Sequence, residues 1–297
     1  MVDFKKTVIE MKTMRELLKW AEDYALENGK EDSAVKLLLM HVTQKESYEI
    51  LADMNMQVPA EQVEAFERCV KTYVEENIPV QHIMGYETFF GHKFIVNDDV
   101  LIPRFETEEL VANVLSTYDD VFEGAPVKVV DVGTGSGAIG VTLAVEEPNM
   151  EVTVTELSEA ALEVAKQNAK NLGANVTFYQ GDMLQPLIER GLKFDILVSN
   201  PPYIPLTEDV DPLVKDNEPH LALFGGEDGL KFYRQILKDA HKVVNEKNII
   251  AFEHAYNHKE AMAELVMQHF PNAKFETLKD LNGKDRMTII INNYINR

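Results

Sequence analysis

Cysteine is nearly absent from this chain. Cys69 is the single thiol in 297 residues, so no internal disulfide can hold the fold and nothing in it demands an oxidising compartment. It lies in the helical pattern Glu61-Gln-Val-Glu-Ala-Phe-Glu-Arg-Cys-Val, where it is expected to be a small buried hydrophobe without chemistry. Basic charge is the second shortage: 29 Lys and Arg face 50 Asp and Glu, a formal net charge of -21. Such a surface repels phosphodiester backbones and anionic lipid, which argues against direct nucleic-acid or membrane binding and leaves room for a basic partner. Long apolar runs are also missing. No stretch approaches the roughly 18 residues of a membrane span. Met1-Val-Asp-Phe-Lys-Lys leads into an amphipathic pattern instead of the apolar core of a signal peptide, so the cytoplasm is the expected compartment. With 45% hydrophobic and 27% charged residues, no repeat and no low-complexity tract, the composition is that of a globular protein long enough for two domains.

Apolar residues at Val8, Met11, Met14, Leu17, Leu18, Ala21, Tyr24 and Ala25 keep the spacing of an amphipathic helix that Gly29 can end. A second helix is expected from the Asp32-Ser33 cap through Val42, a short third from Tyr48 to Met54, and a fourth opened by Pro59 and closed by Pro79. Thr88 to Val96 then reads as a hairpin around a glycine turn. After Pro103 the segments alternate. Helices are expected at 106–117, 138–146 and 159–171, and strands at 128–132, 152–155, 176–179, 194–199 and 248–253. Two final strands, 274–278 and 286–292, flank Asn282-Gly283. The expected fold class is α/β: a mostly parallel Rossmann-like sheet with an antiparallel last strand, preceded by a small helical bundle and a hairpin. The expected domains are a helical substrate-recognition domain at 1–84, a hairpin linker at 85–103 and a catalytic domain at 104–297.

The first strand of that sheet runs into Asp131-Val-Gly-Thr-Gly-Ser-Gly and then a helix. Gly133, Gly135 and Gly137 allow a sharp turn and a close approach to a ligand, although a glycine turn by itself is equally well a structural turn. Glu156 lies 23 residues beyond Gly133 at the end of the next strand, where an acid can accept bonds from both hydroxyls of a ribose. The G-x-G-x-G order differs from the pyrophosphate-cradling G-x-G-x-x-G, and Asp131 precedes it. That combination favours a cationic, phosphate-free nucleoside, as S-adenosylmethionine is. Strand 194–199 ends in Asn200-Pro201-Pro202-Tyr203. Alone this could be a proline stop with a packed tyrosine. In an open α/β sheet, however, ligands sit beyond the carboxyl ends of the strands, so the tetrapeptide, the glycine loop, Glu156 and Asp182 are expected to face one crevice.

This conjunction resembles the Rossmann-like methyltransferases that modify planar amide or amino nitrogens, and most of all the HemK/PrmC family of release factor glutamine N5-methyltransferases. The likeness spans nearly the whole chain: Pro79-Val-Gln-His-Ile-Met-Gly, Leu101-Ile-Pro-Arg-Phe-Glu-Thr-Glu, the glycine loop, Val198-Ser-Asn-Pro-Pro-Tyr-Ile, and Glu218-Pro through Ala222-Leu-Phe-Gly-Gly-Glu-Asp-Gly-Leu. The resemblance implies S-adenosylmethionine as donor, S-adenosylhomocysteine as product, and a release factor's glutamine as acceptor. It implies cofactor contacts at Asp131, Gly133, Thr134, Gly135, Ser136, Gly137, Glu156, Asp182, Met183 and Asn200. It further implies that the Asn200 side-chain oxygen and the Pro201 carbonyl hold the substrate amide while Pro202 and Tyr203 pack around it. The family usually has Pro where this chain has Phe105, Asp where it has Glu156, and an aromatic residue where it has Met183.

Three other readings remain at this point. An adenine-N6 or guanine-N2 methyltransferase would use the same tetrapeptide, but the acid excess opposes it. A ribosomal protein could carry the glutamine. An inactive cofactor-binding interaction protein is opposed by the intact Asn200 to Tyr203. His254 and His258 have helical metal spacing but no third ligand, so they are expected to be ordinary packing or surface residues and no metal is assigned. A monomer is the expected state.

Overall fold

A computed structural model of the chain describes residues 12–293. The described residues form two compact units: one runs up to Gly85 and includes Pro212–Asn217, the other comprises Tyr86–Asp211 and the described residues from Glu218.

The first unit begins with helices α1 (Met14–Glu27), α2 (Ser33–Thr43), α3 (Ser47–Ala52), α4 (Ala60–Glu75) and α5 (Val80–Met84). The expected positions Val8 and Met11 lie outside the described residues. Helix α1 starts at a capping box: the Thr13 hydroxyl accepts from the Glu16 N–H, and the Glu16 carboxylate accepts from the Thr13 N–H at 2.8 Å. Its apolar stripe, Leu17, Ala21 and Ala25, is fully buried against Leu38, Leu39, Phe66 and Val70. Cys69 packs at the edge of this cluster, and burial raises its thiol pKa, as suits a thiol without chemistry. Exposed pairs such as Lys19–Asp23 are screened by water and add little, so packing and not charge holds the bundle. Pro79 departs from expectation. Helix α4 already ends at Glu75, Asn77 adopts a left-handed φ of 57°, and Pro79 caps α5 instead, because a fixed φ near -56° suits a helix entrance.

The second unit opens with the antiparallel hairpin β1 (Tyr86–Phe89) and β2 (His92–Ile95). Phe90 and Gly91 both take positive φ, the turn that matches strand twist, and Glu108 accepts the Phe90 N–H at 2.8 Å. Then follow α6 (Phe105–Phe122), β3 (Val127–Val132), α7 (Ala138–Glu146), β4 (Met150–Glu156), α8 (Glu159–Leu172), β5 (Val176–Gln180), α9 (Gln185–Glu189) and β6 (Phe194–Ser199). After α10 (Pro212–Lys215), which belongs to the first unit, come α11 (His220–Leu223), α12 (Lys231–Ala240), β7 (Val244–Glu253), α13 (Lys259–His269), β8 (Lys274–Lys279) and β9 (Asp285–Asn292). Helix α6 runs past the expected Thr117 because Tyr118 and Val121 carry its buried stripe another turn.

The seven strands are ordered β5-β4-β3-β6-β7-β9-β8. The first five are mutually parallel, and β9 is antiparallel to both its neighbours. The mostly parallel sheet and its antiparallel last strand are therefore as expected. Successive residues alternate between two apolar clusters: Val129, Ile196 and Ile249 enter one, and Val130, Leu197 and Ile250 the other. Both faces are covered, by α6, α7 and α8 on one side and α9, α12 and α13 on the other. Gly140 sets how closely α7 lies on the sheet, since a Cβ there would come 2.6 Å from Val154 Cγ1 and 3.1 Å from Asp131 Oδ2. Alanine favours a helix by about 1 kcal/mol over glycine, while overpacking costs about 1–3 kcal/mol. Gly140→Ala should therefore lower the urea midpoint, whereas an unchanged or raised midpoint would show that α7 can retreat.

Candidate active site

At the end of β3 the backbone turns through Gly133, Thr134, Gly135, Ser136 and Gly137 into α7. Gly133 and Gly135 have φ of 72° and 55°, and a Cβ on either would meet nothing within 4 Å, so the space before them is open cleft. Gly137 serves packing instead: its Cβ would lie 3.2 Å from that of Ala165. The loop's N–H groups mostly turn inward. Those of Gly133 and Thr134 donate to the Thr155 carbonyl at 2.9 and 3.0 Å, that of Gly137 to the Thr134 carbonyl, and that of Gly135 to Glu156 Oε2 at 2.9 Å. A phosphate cradle needs those donors aimed at the ligand. This loop offers a neutral surface beside a carboxylate.

Glu156, at the end of β4, lines the cleft, with Oε1 accepting from the Ser158 N–H at 2.9 Å. Each carboxylate oxygen has a second lone pair for another donor. Leu157, Met183 and Phe232 supply an apolar wall, and Met183 is held at a left-handed φ of 46°. Beyond β6, Asn200 and Pro202 complete the far side. Ser199 Oγ donates to the Val132 carbonyl at 2.6 Å, tying the ends of β6 and β3 together. The 222–230 motif braces the tetrapeptide: the Ile204 N–H donates to the Leu223 carbonyl at 3.0 Å, and a Cβ on Gly229 would strike the Tyr203 carbonyl at 2.2 Å.

The cleft thus gathers Gly133, Thr134, Gly135, Ser136, Glu156, Met183, Asn200 and Pro202. Asp131, Gly137, Asp182, Pro201 and Tyr203 stand outside its lining. Asp131 is fully buried behind the loop, where Oδ2 accepts from Thr134 Oγ1 at 2.5 Å and the Gly140 N–H at 3.0 Å while Oδ1 has no partner. Asp182 accepts from Gln235 Nε2 at 3.0 Å. Tyr203 reaches toward Glu253 Oε1 at 3.4 Å, and burial first, then that carboxylate, raises its phenol pKa. His254 and His258 do not share a helix face: His254 is buried between the Ala255 carbonyl and Thr288 Oγ1, and His258 stands at the entrance of α13. No metal-holding group of three or more His, Cys, Asp or Glu occurs among the described residues.

Sequence reasoning missed three side chains here. Arg104 and Thr107 line the cleft, and Glu253, at the end of β7, is buried behind Thr107. The two cleft residues stand within the quoted Leu101 to Glu108 block, which held no signal of their roles. Glu253 was marked only by ending a strand.

Residues 16–85 match the family described as PrmC N-terminal domain, and residues 109–216 the one described as Methyltransferase small domain. A release factor glutamine methyltransferase of Bacillus subtilis is 47% identical over 279 residues, 93% of this chain and 96% of the relative. That of Bacillus anthracis is 46% identical over 275 residues, 92% and 96%. The chain belongs to the release factor glutamine methyltransferase family. Among solved structures, a methyltransferase from Pyrococcus furiosus aligns with a TM-score of 0.51 at 19% identity over 75% of this chain and 100% of that one, which shows a shared fold. As in other release factor glutamine methyltransferases, then, the chain is a methyltransferase, with a helical N-terminal region ahead of its mixed sheet. No helix among the described residues is long and apolar enough to cross a membrane.

Asp131 gives this site a measurable pH signature. Burial raises its carboxyl from 3.8 to about 7, against the opposing bonds from Thr134 and Gly140. The folded state therefore keeps a proton that the unfolded chain releases, and stability from this group declines as pH rises from about 4 to about 7. Asp131→Asn should lose less unfolding free energy than wild type between about pH 5 and pH 8, by ~2 kcal/mol. Equal losses in urea titrations at the two pH values would mean that Asp131 titrates normally.

Proposed function

We propose that this protein methylates the side-chain amide nitrogen of a glutamine in a peptide chain release factor, with S-adenosylmethionine as donor. The observation that carries the reading is Asn200, at the end of β6, on the same cleft as the glycine loop and Glu156. The donor set fits that cofactor: two glycines facing open space, an acid at the neighbouring strand end, an apolar wall, and loop amides already committed within the protein. A phosphate-bearing nucleotide would find the N–H groups of Gly133, Thr134, Gly135 and Gly137 already committed within the protein.

Bound there, S-adenosylmethionine supplies an electrophilic methyl group. The protein's task is the other partner, an amide nitrogen whose lone pair is delocalised into its carbonyl. Asn200 accepts one N–H through its side-chain oxygen, and Pro201, which does not line the cleft, is assigned the other through its main-chain carbonyl, which together would fix the plane and direction of the amide. Those acceptors also gain strength as the nitrogen becomes positive, so they favour the transition state over the ground state. The rigid φ of Pro201 holds its carbonyl at no cost in a needed N–H. No side chain is assigned as general base: formation of the N–CH3 bond would break the S–CH3 bond and leave S-adenosylhomocysteine, and the amide proton, made acidic by alkylation, would pass to water. Glu156 holds the ribose. The helical unit recognises the protein substrate, and the acid excess steers a basic glutamine-bearing domain toward the enzyme.

The same charge disfavours adenine or guanine amino groups as acceptors. Incubating the protein with release factors, ribosomal proteins and RNA, followed by peptide and nucleoside mass mapping, tests the choice. One methylene of added mass on a release factor glutamine is expected; a methyl on a base would overturn it. Within that assay, Asn200→Ala should lower kcat by ~100-fold or more with little change in cofactor affinity, whereas Glu156→Ala should weaken the cofactor by ~10-fold or more.

A further inference from the structure

Asn200 can do its work only one way round. Its amide has an accepting end and a donating end of nearly equal size, and an inverted amide would offer N–H to N–H. The structure contains a device that chooses between the two. Thr107, on α6 and 4% exposed, donates its hydroxyl to Glu253 Oε2 at 2.7 Å. Asn200 Nδ2 lies 3.2 Å from the same hydroxyl oxygen. A hydroxyl has a single proton. While Glu253 is a carboxylate it can only accept, so the Thr107 proton is committed to it and only lone pairs remain for Asn200. The amide must then turn its NH2 toward Thr107, which leaves Oδ1 as the end available to a ligand.

We propose that Thr107 and Glu253 form a positioning pair that fixes the orientation of the Asn200 amide, so that its oxygen is presented to the substrate N–H. This rests on the glutamine methyltransferase reading and adds to it two residues that do not touch the reacting atoms.

The device contains its own switch. A protonated Glu253 could donate to Thr107, which would free the hydroxyl proton to point at Asn200 and allow the amide to invert. Glu253 is 1% exposed, and burial lifts its carboxyl to about 7. The bond from Thr107, the charge of Arg286 on β9 and the bond from Tyr203 oppose that rise, while Glu106 on α6 adds to it. Arg286 is itself bonded to Asp280 at 3.1 Å, and from α12 the Tyr233 hydroxyl donates to the Glu253 main-chain carbonyl at 2.7 Å, leaving the carboxylate to Thr107 and Tyr203. Protonation therefore competes with the productive arrangement near neutral pH.

Three variants test the pair. Thr107→Val removes the hydroxyl at nearly constant shape, Thr107→Ser retains it, and Glu253→Gln replaces the carboxylate by a group that can donate. Thr107→Val should lower kcat for glutamine methylation by ~10- to 100-fold while the calorimetric dissociation constant for S-adenosylmethionine stays within about twofold. Thr107→Ser should remain within about threefold of wild type. Wild type and Thr107→Ser should show kcat rising with pH through about 7, a limb missing from Thr107→Val and Glu253→Gln. Wild-type kcat in Thr107→Val, a Ser variant as slow as Val, or an acid limb that survives Glu253→Gln would each overturn the pair. A readout independent of turnover is hydrogen exchange of the Asn200 side-chain NH2, followed by NMR without substrate. Slow exchange in wild type and faster exchange in Thr107→Val is expected, and equal exchange overturns the proposal. If wild type methylates no glutamine, the functional reading falls, and the exchange measurement still decides the pair.

Discussion

The cleft depends on where the parallel strands stop. Five neighbouring strands run the same way, so their carboxyl ends reach one edge of the sheet, and the chain must leave each of them there. Between β3 and α7 it leaves through glycines, after β4 through Glu156, and after β6 through Asn200. Three segments distant in sequence meet because adjacent strands are about 4.8 Å apart. The bond from Ser199 Oγ to the Val132 carbonyl fastens two of those exits together, and the Gly135 N–H to Glu156 bond fastens the third. A methyl donor and its acceptor can therefore be held by groups that need not move far relative to one another.

Buried acid stands behind this surface on both sides. Asp131 underpins the glycine loop through Thr134 and Gly140, and Glu253 underpins Asn200 through Thr107. Each carboxyl is completely out of water, with its pKa lifted to about 7 by burial. Such groups cost stability that an apolar residue would not. What they supply is buried acceptors: Asp131 Oδ2 takes the Thr134 hydroxyl and the Gly140 N–H, and Glu253 Oε2 takes the Thr107 hydroxyl, through which we propose that Asn200 is oriented.

Much of this was legible in the sequence because it follows periodicity. The alternation of Val129 and Val130, or of Ile196 and Leu197, marks strands buried on both faces, and strand ends then locate Gly133, Glu156 and Asn200. Other features were not legible because they depend on approach in space. Asp131 reads as a cleft acid, but the pleat turns it into the interior. Pro79 reads as a stop, yet the left-handed Asn77 ends the turn earlier and frees the proline to start α5. His254 and His258 have helical spacing, but the helix begins only after the second of them. The pairing of Thr107 with Glu253 spans 146 residues and has no local pattern at all. The net charge of -21 entered as an argument against nucleic acid, and it retains that role, since the tetrapeptide's geometry alone suits an amide and an amino group equally.

The central claim is that one cleft holds the donor by Glu156 and the acceptor by Asn200. A crystal structure of the protein with S-adenosylhomocysteine and a glutamine-bearing release factor segment tests it directly. Both ribose hydroxyls should lie on the Glu156 carboxylate, with the glutamine amide nitrogen within hydrogen-bond distance of Asn200 Oδ1. A nucleoside bound away from Glu156, or a glutamine held elsewhere, would contradict it.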